Sequence, residues 1–316
     1  MSSLESTFRH GAQRLVLLAL HYRYALVVIA TSYALLSLLL FVIYRLALII
    51  NRPKPAKRTI KDASGGKRRK GHLLVVLGSG GHTSEMLSIL QNLGAEYLTS
   101  RFDRRTWVVS SRDAFSAERA RRFEEWIVEE TSFKSQWDIV TVHRARKIHQ
   151  PLYTTPVSCA QCLWDCVQVL RGTHRELEST NKATQKSSND ASTRAAYPDL
   201  ILTNGPATAV ILIIASLFLM FFGLVPINPS PEKGGAMRSI YIESWARVKT
   251  LSLSGKILRF IVGRFLVQWK GLENVDLLRV SQSPTEQNLG VVQSGNQDGK
   301  SEMLRKQIEY VGAVVA

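Results

Sequence analysis

Cysteine is scarce: the 316 residues contain three, Cys159, Cys162 and Cys166. Three clustered thiols, odd in number, cannot frame a disulfide-stapled miniprotein. Their spacing has a superficial likeness to a zinc site, but i, i+3 and i+7 put all three on one face of a helix with no fourth ligand nearby. Core packing is therefore expected, and no metal. Acidic residues are nearly missing from the first 70 positions, where Glu5 and Asp62 face 13 Lys/Arg, so +11 of the chain's +16 sits there. A nucleic-acid-binding domain carries its basic residues in the folded part. Basic charge confined to one end points to a membrane surface and to no nucleic-acid partner. No internal repeat is present, and the long apolar runs exclude wholesale disorder.

The longest uncharged run near the start is Tyr24–Tyr44, YALVVIATSYALLSLLLFVIY. At the helical rise its 21 residues cover roughly 32 Å, the hydrocarbon thickness of a bilayer. It is too long and too bulky at its end for a cleaved signal peptide. Arg9, Arg14 and Arg23 precede it, and ten Lys/Arg follow between Arg45 and Lys70. The larger cluster marks the cytosolic side, which puts residues 1–23 across the membrane. Residues 45–71, with Pro53, Pro55 and Gly65–Gly66, read as a polybasic linker able to lie on anionic headgroups.

From residue 72 to 316, short β-branched runs alternate with amphipathic segments, which predicts an α/β fold with a parallel sheet. Strands are expected at Leu73–Leu77, Thr106–Ser110, Ile139–Val142, Asp199–Thr203, Ser239–Glu243 and Phe265–Gln268. Helices are expected at Thr83–Leu93, Ala114–Glu125, Val157–Leu170, Thr208–Phe222 and Ser254–Ile261. Stretches near 172–197, 227–237 and 281–300 read as surface loops or insertions. Ala207–Val225 is also uncharged and long enough to span a membrane, yet it lies between two expected strands. If it spanned, those strands could not share a sheet, so a buried or membrane-grazing crossover helix is expected.

Gly78-Ser79-Gly80-Gly81-His82-Thr83 directly follows the first strand and opens a helix. Glycines allow close backbone approach, and a helix N-terminus offers unpaired amides to a phosphate. Thr83 stands where a dinucleotide fingerprint would have its third glycine, and no GK[ST] follows, which excludes a Walker loop. The competing reading is a tight turn with Thr83 or Ser84 capping and Glu85 favouring the helix dipole. His82, at the mouth of the loop, has the chemistry of a phosphate donor or a base, or is a polar cap. His143-Arg144-Ala145-Arg146-Lys147 follows a strand at the sheet edge where such folds gather ligands, and is either an anion site or a solvated face. Asn204-Gly205-Pro206 ends another strand on that edge. Glu243 closes YIES near the same crevice, and Arg247 follows it at helix-pair spacing.

VVLGSGGHTSEML (Val75–Leu87), HRARKIHQ (His143–Gln150), PDLILTNGPAT (Pro198–Thr208) and ESWARVKTLSLSGKIL (Glu243–Leu258), in that order, closely resemble one family. It is the membrane-anchor subunit family of the endoplasmic-reticulum UDP-N-acetylglucosamine transferase, which makes dolichol-linked chitobiose. The resemblance runs from about residue 72 to the C-terminus. The sequence departs from it at Ala207, where a glycine is expected, in the less glycine-rich turn at Thr208 and Ala209, and in the insertion at 281–300.

The resemblance implies a divided glycosyltransferase. The domain would correspond to the N-terminal, acceptor-side half of a GT-B enzyme, and a separate soluble subunit would supply the UDP-sugar site. That agrees with the single α/β domain counted here. It further implies a chain inactive alone, in the endoplasmic-reticulum membrane, with a lumenal N-terminus and a cytosolic domain. The whole enzyme would add the second N-acetylglucosamine to dolichyl-diphosphate N-acetylglucosamine, without a cofactor. On this reading the acceptor diphosphate meets Gly78, Ser79, Gly80, Gly81 and Thr83, with Arg144, Arg146, Asn204, Gly205 and Glu243 around it and His82 as base. The apolar tail, through Tyr310, Val311, Val314 and Val315, would meet the soluble subunit. Two alternatives remain at this stage: a scaffold contributing no active-site group, and an anchored reductase, which the absent third glycine and absent ribose-binding acid oppose.

Overall fold

The computed structural model describes residues 2–52, 70–133, 135–146, 150–177, 197–205, 207–227, 234–273 and 308–310. The chain divides into two units, Met1–Asn51 and Arg52–Ala316. The first is one helix, α1 (Ser2–Ile50). It runs past both ends of the expected span, and its stretch His21–Ile50 is long and apolar enough to cross a bilayer. Inside that stretch the Thr31 hydroxyl donates to the carbonyls of Val27 and Val28, both at 2.9 Å. The helix thus satisfies its own polar group, as an apolar solvent requires.

The second unit is built on a seven-stranded parallel sheet in the order β3-β2-β1-β4-β5-β6-β7. Its strands are β1 (Gly71–Leu77), β2 (Phe102–Ser110), β3 (Gln136–Val142), β4 (Leu200–Asn204), β5 (Arg238–Ile242), β6 (Arg264–Val267) and β7 (Ile308–Tyr310). The helices are α2 (Gly81–Leu93), α3 (Ala95–Arg101), α4 (Ala114–Thr131), α5 (Thr155–Arg171), α6 (Thr208–Phe221), α7 (Leu253–Leu258) and α8 (Lys270–Glu273). This is the Rossmann-like α/β arrangement expected from the alternating pattern.

The sheet is buried on both faces, which is why β1 reads LLVVL with no polar alternation. Leu73, Val75 and Leu77 join Met86, Ile89 and Leu90 of α2, Leu98 of α3, and Phe123 and Ile127 of α4 in one core layer. Leu74 and Val76 alternate to the other face. There α6 packs between α5 and α7.

The apolar stretch after β4 is a crossover. β4 and β5 pair in parallel from Leu200↔Arg238 to Asn204↔Ile242, so α6 connects two strands of one sheet. Leu212, Ile213, Leu219 and Met220 are buried, while Ile214, Phe218 and Phe222 form an exposed apolar stripe. The cysteines sit as expected on α5: Cys162 and Cys166 are fully buried, and Cys159 Sγ donates to the Ala145 carbonyl. Among the described residues no cluster suits a metal ion.

Several features depart from expectation. Gly94, at φ 84°, stops α2 and lets α3 begin at once, so one predicted helix is followed by a second. β2 starts at Phe102, four residues before the expected strand, and α4 continues to Thr131. The expected loop at 281–300 and most of the loop at 172–197 fall outside the described residues.

Candidate functional site

Strand order reverses between β1 and β4, the point at which a doubly wound sheet opens a crevice at its carboxyl edge. Gly78 leaves β1 there, and Asn204 and Gly205 leave β4. Gly80 takes φ 63° and ψ −120°, which glycine alone adopts without strain, and a β-carbon there would meet nothing within 4 Å. The first helical bond is Ser84 N to Gly80 O at 3.4 Å. The amides of Gly81, His82 and Thr83 therefore have no acceptor within the helix. Ser79 is exposed at the tip of the loop. Thr83 turns inward: its hydroxyl donates to Gly78 O and lies 2.7 Å from Ser116 Oγ, so its side chain closes the loop from behind.

The imidazole of His82 stands between two glycines. A β-carbon at Gly78 would come within 2.7 Å of His82 Cβ, and one at Gly205 (φ 92°) within 3.1 Å of His82 Cγ. The ring is thus gripped by backbone, with its side chain 30% exposed, and its Nδ1 lies 3.7 Å from Glu85 Oε2. Asn204 is buried beneath.

Two buried carboxylates support this edge. Glu85 Oε1 accepts from Trp245 N at 2.5 Å and from Gln268 Nε2, and its Oε2 accepts from Ser244 Oγ at 3.2 Å. Burial pushes the Glu85 carboxyl up, but contacts from His82, Trp245 N, Asn204 and Gln268 together outweigh it and hold the group below its ordinary value. Glu243 Oε2 accepts from Ser252 N and Ser252 Oγ, both at 3.1 Å, which ties β5 to the N-cap of α7. There burial prevails, and Glu243 is raised despite those bonds and the charge of Arg247. Gly255 makes room for it, since a β-carbon would fall 2.0 Å from Glu243 Oε2.

The structure therefore brings Gly78, Gly80, Gly81, His82, Asn204 and Gly205 to one crevice and places Glu243 in its supporting wall. Pro206 lies outside the described residues. Of the basic run, His143–Arg146 lie on the same carboxyl edge but two strands away, about 10 Å by sheet spacing, and Lys147 lies outside the described residues. There Asp165 Oδ2 lies 2.6 Å from His143 Nδ1 and accepts from His143 N at 2.7 Å. Arg144 N donates to Ser111 Oγ, and Arg146 reaches toward the Gln150 carbonyl at 3.5 Å. A cavity of about 560 Å³ opens beside this pair, with the exposed Trp164 on its wall. Tyr310 is four strands from β1 on the other side, and Val311, Val314 and Val315 lie outside the described residues. Sequence reasoning missed Gln268, Ser252 and the role of Glu85. The only local signal for Glu85 was its i+3 spacing from His82.

A family model described as "Oligosaccharide biosynthesis protein Alg14 like" matches residues 73–281, more than half of the chain. The chain belongs to the Alg14-like family. Curated members bear this out. The UDP-N-acetylglucosamine transferase subunit alg14 of Aspergillus fumigatus is 39% identical over 219 residues, covering 59% of this chain and 91% of that protein. The ALG14 subunit of Cryptococcus neoformans is 33% identical over 249 residues, 79% of this chain and 92% of its own. Human ALG14 is 29% identical over 203 residues, 64% and 76% respectively. Among solved structures, a putative UDP-N-acetylglucosamine 2-epimerase from Listeria monocytogenes aligns with TM-score 0.36 at 12% identity. It covers 68% of this chain, which in turn spans 43% of that one.

Proposed function

We propose that this chain is the membrane-anchoring, acceptor-side subunit of a heteromeric UDP-N-acetylglucosamine transferase in the endoplasmic-reticulum membrane. The domain faces the cytosol and recruits a soluble subunit that binds the sugar nucleotide. The enzyme then adds the second N-acetylglucosamine to dolichyl-diphosphate N-acetylglucosamine. Membership of a family whose curated relatives are named as subunits of this transferase supports the assignment. The observation that carries the acceptor-side reading is His82, gripped by Gly78 and Gly205 beside three amides with no helical acceptor.

In this reading the acceptor diphosphate lies against the amides of Gly81, His82 and Thr83, where hydrogen bonds and the helix dipole offset its charge. Arg144 and Arg146, farther along the edge, add long-range attraction. His82 takes the proton from the attacking 4-hydroxyl as the bond to the donor sugar forms and UDP departs. The crevice is completed only when the soluble subunit closes over it, so the chain is inactive alone.

The test is a transfer assay with the purified full chain, alone and with its soluble partner. Activity should appear only with both. H82A should retain partner pull-down while turnover falls roughly 10²-fold, the usual contribution of a general base. Unchanged turnover in an assembled H82A complex would favour a scaffold with no active-site group, and transfer by the chain alone would end the divided-enzyme reading.

A further inference from the structure

Glu85 is the side chain on which the carboxyl edge converges. Its side chain is 8% exposed and its carboxylate receives donors from two other elements, Trp245 N and Ser244 Oγ from the turn after β5 and Gln268 Nε2 from the end of β6, while His82 Nδ1 on its own helix lies 3.7 Å away. Among the described residues it has no Lys or Arg partner. His82 Nδ1 is its sole ion-pair contact, and that nitrogen has no other hydrogen-bond partner.

The chemistry of this meeting is restrictive. An ionised carboxylate is acceptor-only, and the groups already around it are all donors. A neutral imidazole carries one proton, on Nδ1 or on Nε2. With Nδ1 bare, its lone pair would face the lone pairs of Glu85 Oε2. With Nδ1 protonated, the contact is attractive, and a shift of well under 1 Å closes 3.7 Å to hydrogen-bond length. Gly78 and Gly205 hold the ring in place, so it cannot swing elsewhere for a partner.

We propose that Glu85 is the positioning residue of this site: it fixes His82 as the Nδ1–H tautomer, leaving Nε2 bare toward the crevice, and pins the Ser244–Trp245 turn to the glycine loop. The consequence for catalysis rests on His82 being the base, while the tautomer itself does not. Gln at position 85 would lose one acceptor oxygen and turn an amide donor onto a surrounding donor. Asp keeps the charge on a shorter arm.

The experiment uses the full-length chain in detergent with its soluble partner, with ¹⁵N-labelled histidine and the His82 resonances assigned by their loss in H82Q. At alkaline pH the wild type should show the Nδ1–H pattern of nitrogen shifts, E85Q should lose it, and E85D should keep part of it. In transfer assays E85Q should lower kcat about tenfold or more, within the range of general-base effects. In an H82A background the same change should matter less than about twofold, because both act through one group. An Nε2–H tautomer in the wild type overturns the proposal, whether or not E85Q assembles. So does an E85Q loss that multiplies with that of H82A. If H82A leaves turnover intact, the base assignment fails while the nitrogen shifts still decide the role of Glu85.

Discussion

A β-carbon added at Gly205 would meet the His82 ring at 3.1 Å in a backbone held at φ 92°, so G205A faces both contact and strain. We expect G205A to lower transfer at least tenfold at unchanged partner pull-down, on the scale that misplacing a reacting group by an ångström produces. The two buried carboxylates give opposite pH signatures. The Glu85 value is depressed on folding, so its contribution is present above the unfolded value near 4.5 and is lost as pH falls through the folded value. The Glu243 value is raised, so its contribution is full below 4.5 and fades as pH rises through the folded value. In thermal melts of the full chain, E85Q should therefore destabilise more at neutral than at acid pH, while the gap between wild type and E243Q should narrow toward neutrality. The glycines and His82 were legible because one contiguous motif between a strand and a helix carries them. The role of Glu85 was not, because Ser244 and Gln268 lie 159 and 183 residues away from it.

At the scale of elements, β2 shows where a periodic reading stops. Arg105 lies inside the strand and is 1% exposed, bonded through Nε and Nη2 to the fully buried Glu124 of α4 at 2.8 and 2.6 Å. Trp107 Nε1 also donates to Glu124, at 2.8 Å. A charged residue read alone marks a strand boundary, and only the helix packed over it reveals the pairing. E124A strands that guanidinium in the core and should cost about 3–5 kcal/mol in chemical denaturation of the membrane-released domain. By contrast α6 was legible through its neighbours: a strand on each side left an uncharged 14-residue helix only a crossover role. Ala207, where the family resemblance leads one to expect glycine, takes φ 44° at the head of that helix, a conformation glycine adopts more easily.

At the scale of the molecule, the alternation of strands and helices gave the parallel sheet directly, but its last member was beyond reach. β7 is three residues long and, among the described residues, pairs only with β6, through Phe265↔Ile308 to Val267↔Tyr310. So short a strand has no periodicity of its own. Deleting residues 308–316 should leave the six remaining strands folded, with thermal unfolding within a few degrees of the full chain. If the tail is the subunit contact, the same deletion should abolish capture of the soluble partner; retained capture would place that contact elsewhere. The central strand has a further consequence, for synthesis. β1 is made early, yet one of its flanking strands comes more than a hundred residues later: His72 N bonds to Asp199 Oδ2 across a separation of 127 positions. Until the ribosome has passed that point, LLVVL has β2 beside it but no second neighbour, and one greasy edge waits open close behind a segment bound for the bilayer. Assembly of such distant pairings is slow and prone to association, so the interval before β4 emerges is the one in which the open edge of β1 is most exposed to wrong partners.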